Sequence, residues 1–153
     1  MSDSWSPAEF PNLDRDNHQV TSPATRKYNC FAWAANEIHR RWEPDPQGIY
    51  YWPTTVPRRM TMDAFVKAYE TLGYRLCFGD ALEPGLEKIA IFGIERNGIT
   101  VPTHAALQLQ SGEWTSKLGD FEDIRHANPD NVNGPVYGRP VAFMARAITS
   151  ITI

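Results

Sequence analysis

The dipeptide Asn97-Gly98, set between two β-like runs, narrows the folds open to this chain more than any other feature. Both central residues of a type I′ turn need positive φ, and Asn-Gly tolerates that conformation best, so the pair is a strong hairpin signal. Before it, Lys88-Ile89-Ala90-Ile91-Phe92-Gly93-Ile94 reads as a strand; after it, Thr103-His104-Ala105-Ala106-Leu107-Gln108-Leu109 reads as the returning strand. Ser111-Gly112 marks a further turn and Glu113 to Lys117 a third strand. Arg139 to Arg146 supplies a later strand that closes or edges the sheet.

The N-terminal half carries helical spacing instead. Phe31, Ala34, Ala35, Ile38 and Trp42 recur on one face and predict a helix from Cys30 to about Arg41, with Asn29 as N-cap. A second helix is expected to open at Thr61, bury Phe65, Ala68, Tyr69 and Leu72, and end at Gly73. Tyr74 to Phe78 alternates like a strand, which makes Cys77 a packed small hydrophobe. Residues 1–25, with Pro7, Pro11 and Pro23 among polar residues, read as an irregular arm, and 26–153 as a single domain. The reading is α+β, with N-terminal helices packed on an antiparallel meander.

Composition limits the function classes. A formal charge of −3 with scattered basic residues argues against a nucleic-acid partner. No apolar run approaches the roughly 20 residues needed to span a bilayer. Met1-Ser2-Asp3-Ser4-Trp5 lacks the basic and apolar regions of a Sec-type signal, so no membrane association and a cytoplasmic location are expected. Cys30 and Cys77 are the only cysteines and fit neither a disulfide framework nor metal-ligand spacing. No metal or organic cofactor is implied.

The chemistry-bearing pair is Cys30, at the predicted start of a helix, and His104, on a central strand. Unpaired N–H groups at a helix start and a nearby imidazolium lower a thiol pKa and create a nucleophile. On that basis Cys30 is expected to alkylate faster than Cys77. The orienting partner of His104 depends on the turn at Ser111-Gly112. A three-residue loop, Gln110-Ser111-Gly112, sets Ala106 opposite Ser116 and brings Ser116 and Trp114 to the face of His104, whereas a two-residue loop brings Thr115 and Lys117 there. The first register is preferred. Ser116 is then the third member, with His126 and Lys117 as reserves.

The strings Tyr28-Asn29-Cys30-x-Ala32-Trp33-Ala34, Pro102-Thr103-His104-x-Ala106-x-Gln108 and Gly112-x-Trp114-Thr115-Ser116-Lys117-Leu118-Gly119 resemble papain-like cysteine hydrolases of the NlpC/P60 type. They are closest to a group of small uncharacterised bacterial proteins in that superfamily. The chain departs from NlpC/P60 proper in having Asn29-Cys30-Phe31-Ala32 where that family has Asp-Cys-Ser-Gly, and Ser116 where a His or amide is usual. The resemblance implies a papain-like fold and a hydrolase or acyl-transfer enzyme acting on a peptide or protein amide. In it Cys30 attacks, His104 serves as base and then acid, Ser116 orients His104, and the N–H of Cys30 contributes to an oxyanion hole. Asn29, Trp52 in the aromatic loop 42–53, Trp114 and Lys117 are the candidate substrate-binding residues. The alternative reading is a catalytically weak fold serving as a binding or immunity module, whose mark would be Trp33, Trp42 or Trp52 stacked over Cys30.

Overall fold

The structure, a computed structural model, describes residues 5–148. Seven strands dominate it: β1 (His18–Ser22), β2 (Arg75–Cys77), β3 (Leu86–Arg96), β4 (Ile99–Gln108), β5 (Trp114–Lys117), β6 (Asp123–His126) and β7 (Arg139–Ala147). They form one sheet in the order β1-β6-β5-β4-β3-β7-β2, and every pairing is antiparallel. Among the described residues only two short α-helices accompany it, α1 (Cys30–Ala34) and α2 (Met62–Glu70).

This corrects the expected α+β, papain-like architecture with N-terminal helices: the molecule is mostly antiparallel sheet. The physical reason lies in α1. After five residues Asn36 takes a left-handed conformation, φ 61°. Its N–H donates to the Trp33 carbonyl at 3.0 Å while the Glu37 N–H donates to the Ala32 carbonyl at 2.9 Å, a closed helix end. The periodicity that continued through Ile38 is carried by an irregular segment, in which Ile38 is exposed and Trp42 reaches the core through a bridge to Tyr51. Likewise β2 is a three-residue edge strand on which Leu76 is exposed and Cys77 half-buried, and Phe78 after it is exposed, so the alternation from Tyr74 buries little beyond Tyr74 itself.

The sheet is covered on both faces. On one, α1 and α2 pack against Ile89, Ile91, Ala105, Leu107 and Met144. The Tyr69 hydroxyl ties the helices together by donating to the Phe31 carbonyl at 2.8 Å. On the other, Phe10 from the N-terminal segment, Val132 from a 3₁₀ turn (Pro129–Val132) and Tyr137 cover Phe92, Ala106, Trp114 and Ile124. Each Ile, Leu, Phe or Met among them that is fully withdrawn from water contributes roughly 1.5–3 kcal/mol. The segment read as an irregular arm contributes β1, which pairs with β6 in the register His18↔His126.

Two local features position the site. A bulge in β4 leaves Thr103 without a partner between Phe92↔His104 and Gly93↔Pro102. Gly138, at φ +71°, brings the chain so close that an added Cβ would lie 2.1 Å from the Gly93 carbonyl oxygen, and this approach seats the neighbouring Tyr137.

Candidate functional site

Cys30 is the first residue of α1 and lines a cleft of about 410 Å³, together with Phe31, Arg41, Met60, Thr103, Gly119 and Tyr137. Asn29 builds this corner. Its Oδ1 accepts from the N–H groups of Ala32 and Trp42, both at 3.1 Å, and its Nδ2 donates to the Trp42 carbonyl at 2.8 Å. One buried amide thus caps the helix and pins the following segment beneath it. Arg41 is fixed on the wall by Asp120 at 2.9 Å and Glu43 at 3.3 Å.

The electrostatics oppose the expected resting thiolate. Burial pushes the Cys30 thiol up to about 12, although the backbone N–H groups of Ala105 and Phe31 and the charge of Arg41 pull the other way. Burial likewise holds the His104 imidazole well below its ordinary pKa, with the neighbouring His126 adding to the effect. Both groups are therefore neutral near pH 7.

His104 is fully buried on the face of β4 that carries Ala106, edge-on to Phe92 and stacked flat on Tyr137 with ring centroids 3.9 Å apart. Cys30 packs with Ala105 and Leu107 on the opposite face. Tyr137 belongs to both settings, because it lines the cleft of Cys30 and covers the imidazole. Thr103, beside His104 in the bulge, also lines the cleft and donates to the Tyr137 carbonyl at 2.6 Å. His104 Nε2 lies 3.0 Å from Ser116 Oγ, which lies 2.8 Å from His126 Nε2. His104 Nδ1 is buried and has no hydrogen-bond partner among the described residues, Cys30 included.

The preferred hairpin register is observed, Leu107↔Thr115 and Gln108↔Trp114, with Gly112 left-handed at φ 92°. Ser116 therefore reaches His104, and Trp114 shares its face as a buried core residue beyond the cleft. Trp52 is buried among the helices, donating to the Pro57 carbonyl at 3.0 Å, also away from the cleft. Lys117 points to the α1 face. Its Nζ donates to the carbonyls of Gly119 (2.7 Å) and Phe121 (2.5 Å), and burial lowers its pKa while Asp123 and Asp120 oppose the shift. Of the four substrate-binding candidates, only Asn29 lines the cleft.

Sequence reasoning missed Arg41, Thr103 and Tyr137 as cleft residues. Arg41 was assigned to a helix and Thr103 to regular strand, while Tyr137 stands in a loop whose only signal is its neighbour Gly138. His126 is a buried strand residue, paired with His18 and Trp114.

Among the described residues no helix is long and apolar enough to cross a membrane, and no group of His, Cys, Asp and Glu is arranged to hold a metal ion. No curated protein and no solved structure matches the chain. Residues 19–145, which span β1 to nearly the end of β7 and include Cys30, His104, Ser116 and His126, match one family, so the chain belongs to DUF7689, a domain of unknown function.

Proposed function

We propose that this protein is a cysteine-dependent hydrolase or acyl-transfer enzyme acting on the amide of a peptide or protein, with Cys30 as nucleophile and His104 as base. One observation carries the reading. Among the described residues the one polar ring atom of His104 without a partner is Nδ1, and the Tyr137 that stacks on this ring also walls the cleft that holds Cys30.

Because thiol and imidazole are both neutral at rest, the proton leaves sulfur as the carbon–sulfur bond forms. The Cys30 S–H proton passes to His104 Nδ1 while sulfur adds to the amide carbonyl. The imidazolium then protonates the leaving nitrogen, the carbon–nitrogen bond breaks, and a thioester remains. Water or an acceptor amine, deprotonated by His104, releases the acyl group and restores the thiol. The N–H groups of Ala105 and Phe31, which face the sulfur, support negative charge on it as its proton leaves, and the N–H of Cys30 contributes to the oxyanion hole. Cys30 packs against the face of β4 opposite to the one that carries His104, and Tyr137, which stacks on the imidazole and lines the cleft, is the side chain that must move for Nδ1 to reach it. We place this chemistry in the cytoplasm, where both free thiols stay reduced.

A peptidyl acyloxymethyl ketone, which needs an activated thiol, tests the reading. It is expected to modify Cys30 rather than Cys77 and to do so at least about a hundred-fold more slowly in His104→Ala, the loss typical of a missing general base. Modification of Cys77 alone, or an unchanged rate in His104→Ala, would sink the enzyme reading. A second reading, a catalytically weak binding or immunity module, is favoured by the protonated resting thiol. It predicts that Cys30 stays unmodified.

A further inference from the structure

The histidine of β6 has no role in the proposed reaction, yet its hydrogen bonds are ordered in a way that reaches His104. His126 Nδ1 lies 2.8 Å from the Asn128 carbonyl oxygen, which only accepts, so Nδ1 carries the proton. Asn128 is itself held, its N–H donating to Asn131 Oδ1 at 2.9 Å at the start of the 3₁₀ turn. A neutral His126 therefore presents a bare lone pair at Nε2. Ser116 Oγ, 2.8 Å away, donates its hydrogen there and is left to accept from His104 Nε2 at 3.0 Å. His104 Nε2 must then carry the imidazole proton, and Nδ1 is bare. Each link admits one direction only, because a hydroxyl donates a single hydrogen.

From this chain of bonds we infer that His126 is a positioning residue, which acts through Ser116 to fix His104 in the tautomer whose free lone pair is at Nδ1. The catalytic meaning of that lone pair rests on the proposed function; the tautomer does not. The inference also explains how a serine hydroxyl, a weak orienting group on its own, suffices beside the imidazole: its direction is set by a second histidine instead of by a carboxylate.

Histidine ¹⁵N NMR on the intact protein near neutral pH reads which ring nitrogen of His104 carries the proton. Wild type and His126→Gln, whose amide oxygen also accepts from Ser116, are expected to hold the proton at Nε2. In His126→Phe the Ser116 hydrogen loses its acceptor and turns to His104 Nε2, so the tautomer is expected to shift toward Nδ1–H. Cys30 modification by the ketone should fall by about 10²–10⁴-fold in His126→Phe, as for a catalytic histidine in the wrong tautomer, and recover in His126→Gln. An unmoved tautomer in folded His126→Phe overturns the relay whatever the rate does. Should that variant fail to fold, His126→Leu likewise leaves the Ser116 hydrogen without its acceptor, and retention of the wild-type tautomer there overturns it equally. A tautomer that shifts in a protein that never modifies Cys30 supports the relay and removes the catalytic reading, so the two failures are distinct.

Discussion

The two faces of β4 treat their polar groups in opposite ways. On the α1 face, Cys30 stands beside a cleft, surrounded by backbone N–H groups and within the field of Arg41, and its thiol lacks only solvent. On the other face, His104, Ser116 and His126 form a dry row in which every bond has a direction and one atom, Nδ1, is left over. One side holds a reactive atom without a base and the other a base without a proton to take. Tyr137 borders both. Both charged forms are suppressed by the same desolvation, so only something that enters the cleft can change the balance.

Removing that shared ring is the strongest way to break this comparison. Tyr137→Ala takes a buried ring from between Phe10 and His104 and should cost about 3–5 kcal/mol in denaturant unfolding. It should also let the His104 pKa rise toward its ordinary value, read by NMR titration. A loss under about 1 kcal/mol with unchanged titration would mean that Tyr137 is not the wall, since ordinary surface changes stay in that range.

Acid comes next. Burial depresses His126 to about 4 in the folded protein against 6.5 for an ordinary histidine, and His18 and His104 are the titratable groups facing it. Below pH 6.5 the unfolded chain binds the proton and the folded chain does not. Stability is therefore full above pH 6.5 and falls as the pH drops to 4, by about 3 kcal/mol from this one group. His126→Gln should flatten that slope; an equally steep slope in the variant would show that His126 does not titrate as described.

Alkylation sharpens the other half of the comparison. In the absence of substrate, iodoacetamide should modify half-buried Cys77 at least about a hundred-fold faster than Cys30, whose thiolate fraction near neutrality is tiny at a pKa of about 12. This reverses the order that helix position alone implies. Faster labelling of Cys30, found by peptide mapping, would mean that the thiol ionises at rest.

The smallest effect concerns the corner that carries Cys30. Asn29→Ala removes the cap of α1 and both bonds to the Trp42 backbone, and should cost about 1–3 kcal/mol in stability while leaving the His104 tautomer untouched. A disturbed His104 signal in this variant would show that the two faces are coupled through the backbone.

What the sequence determined by itself was local. Asn97-Gly98 takes positive φ at both residues and joins β3 to β4, and the Gln110-Ser111-Gly112 loop sets the register that delivers Ser116 to His104. Such turns impose their geometry on the residues beside them, so their consequences can be read from neighbours in the chain. The tertiary structure decided the rest. Pairing of β1 with β6 joins residues some hundred positions apart, and nothing near His126 signals that His18 will close over it and bury it. Apart from Ile38, the apolar face from Phe31 to Trp42 is buried by a five-residue helix and a folded-back segment, because the core rewards burial of those side chains by any backbone that delivers them. The state of Cys30 was out of reach for the same reason. Being first in a helix is a local fact that favours a thiolate, whereas the desolvation that outweighs it comes from the whole molecule packed around the sulfur.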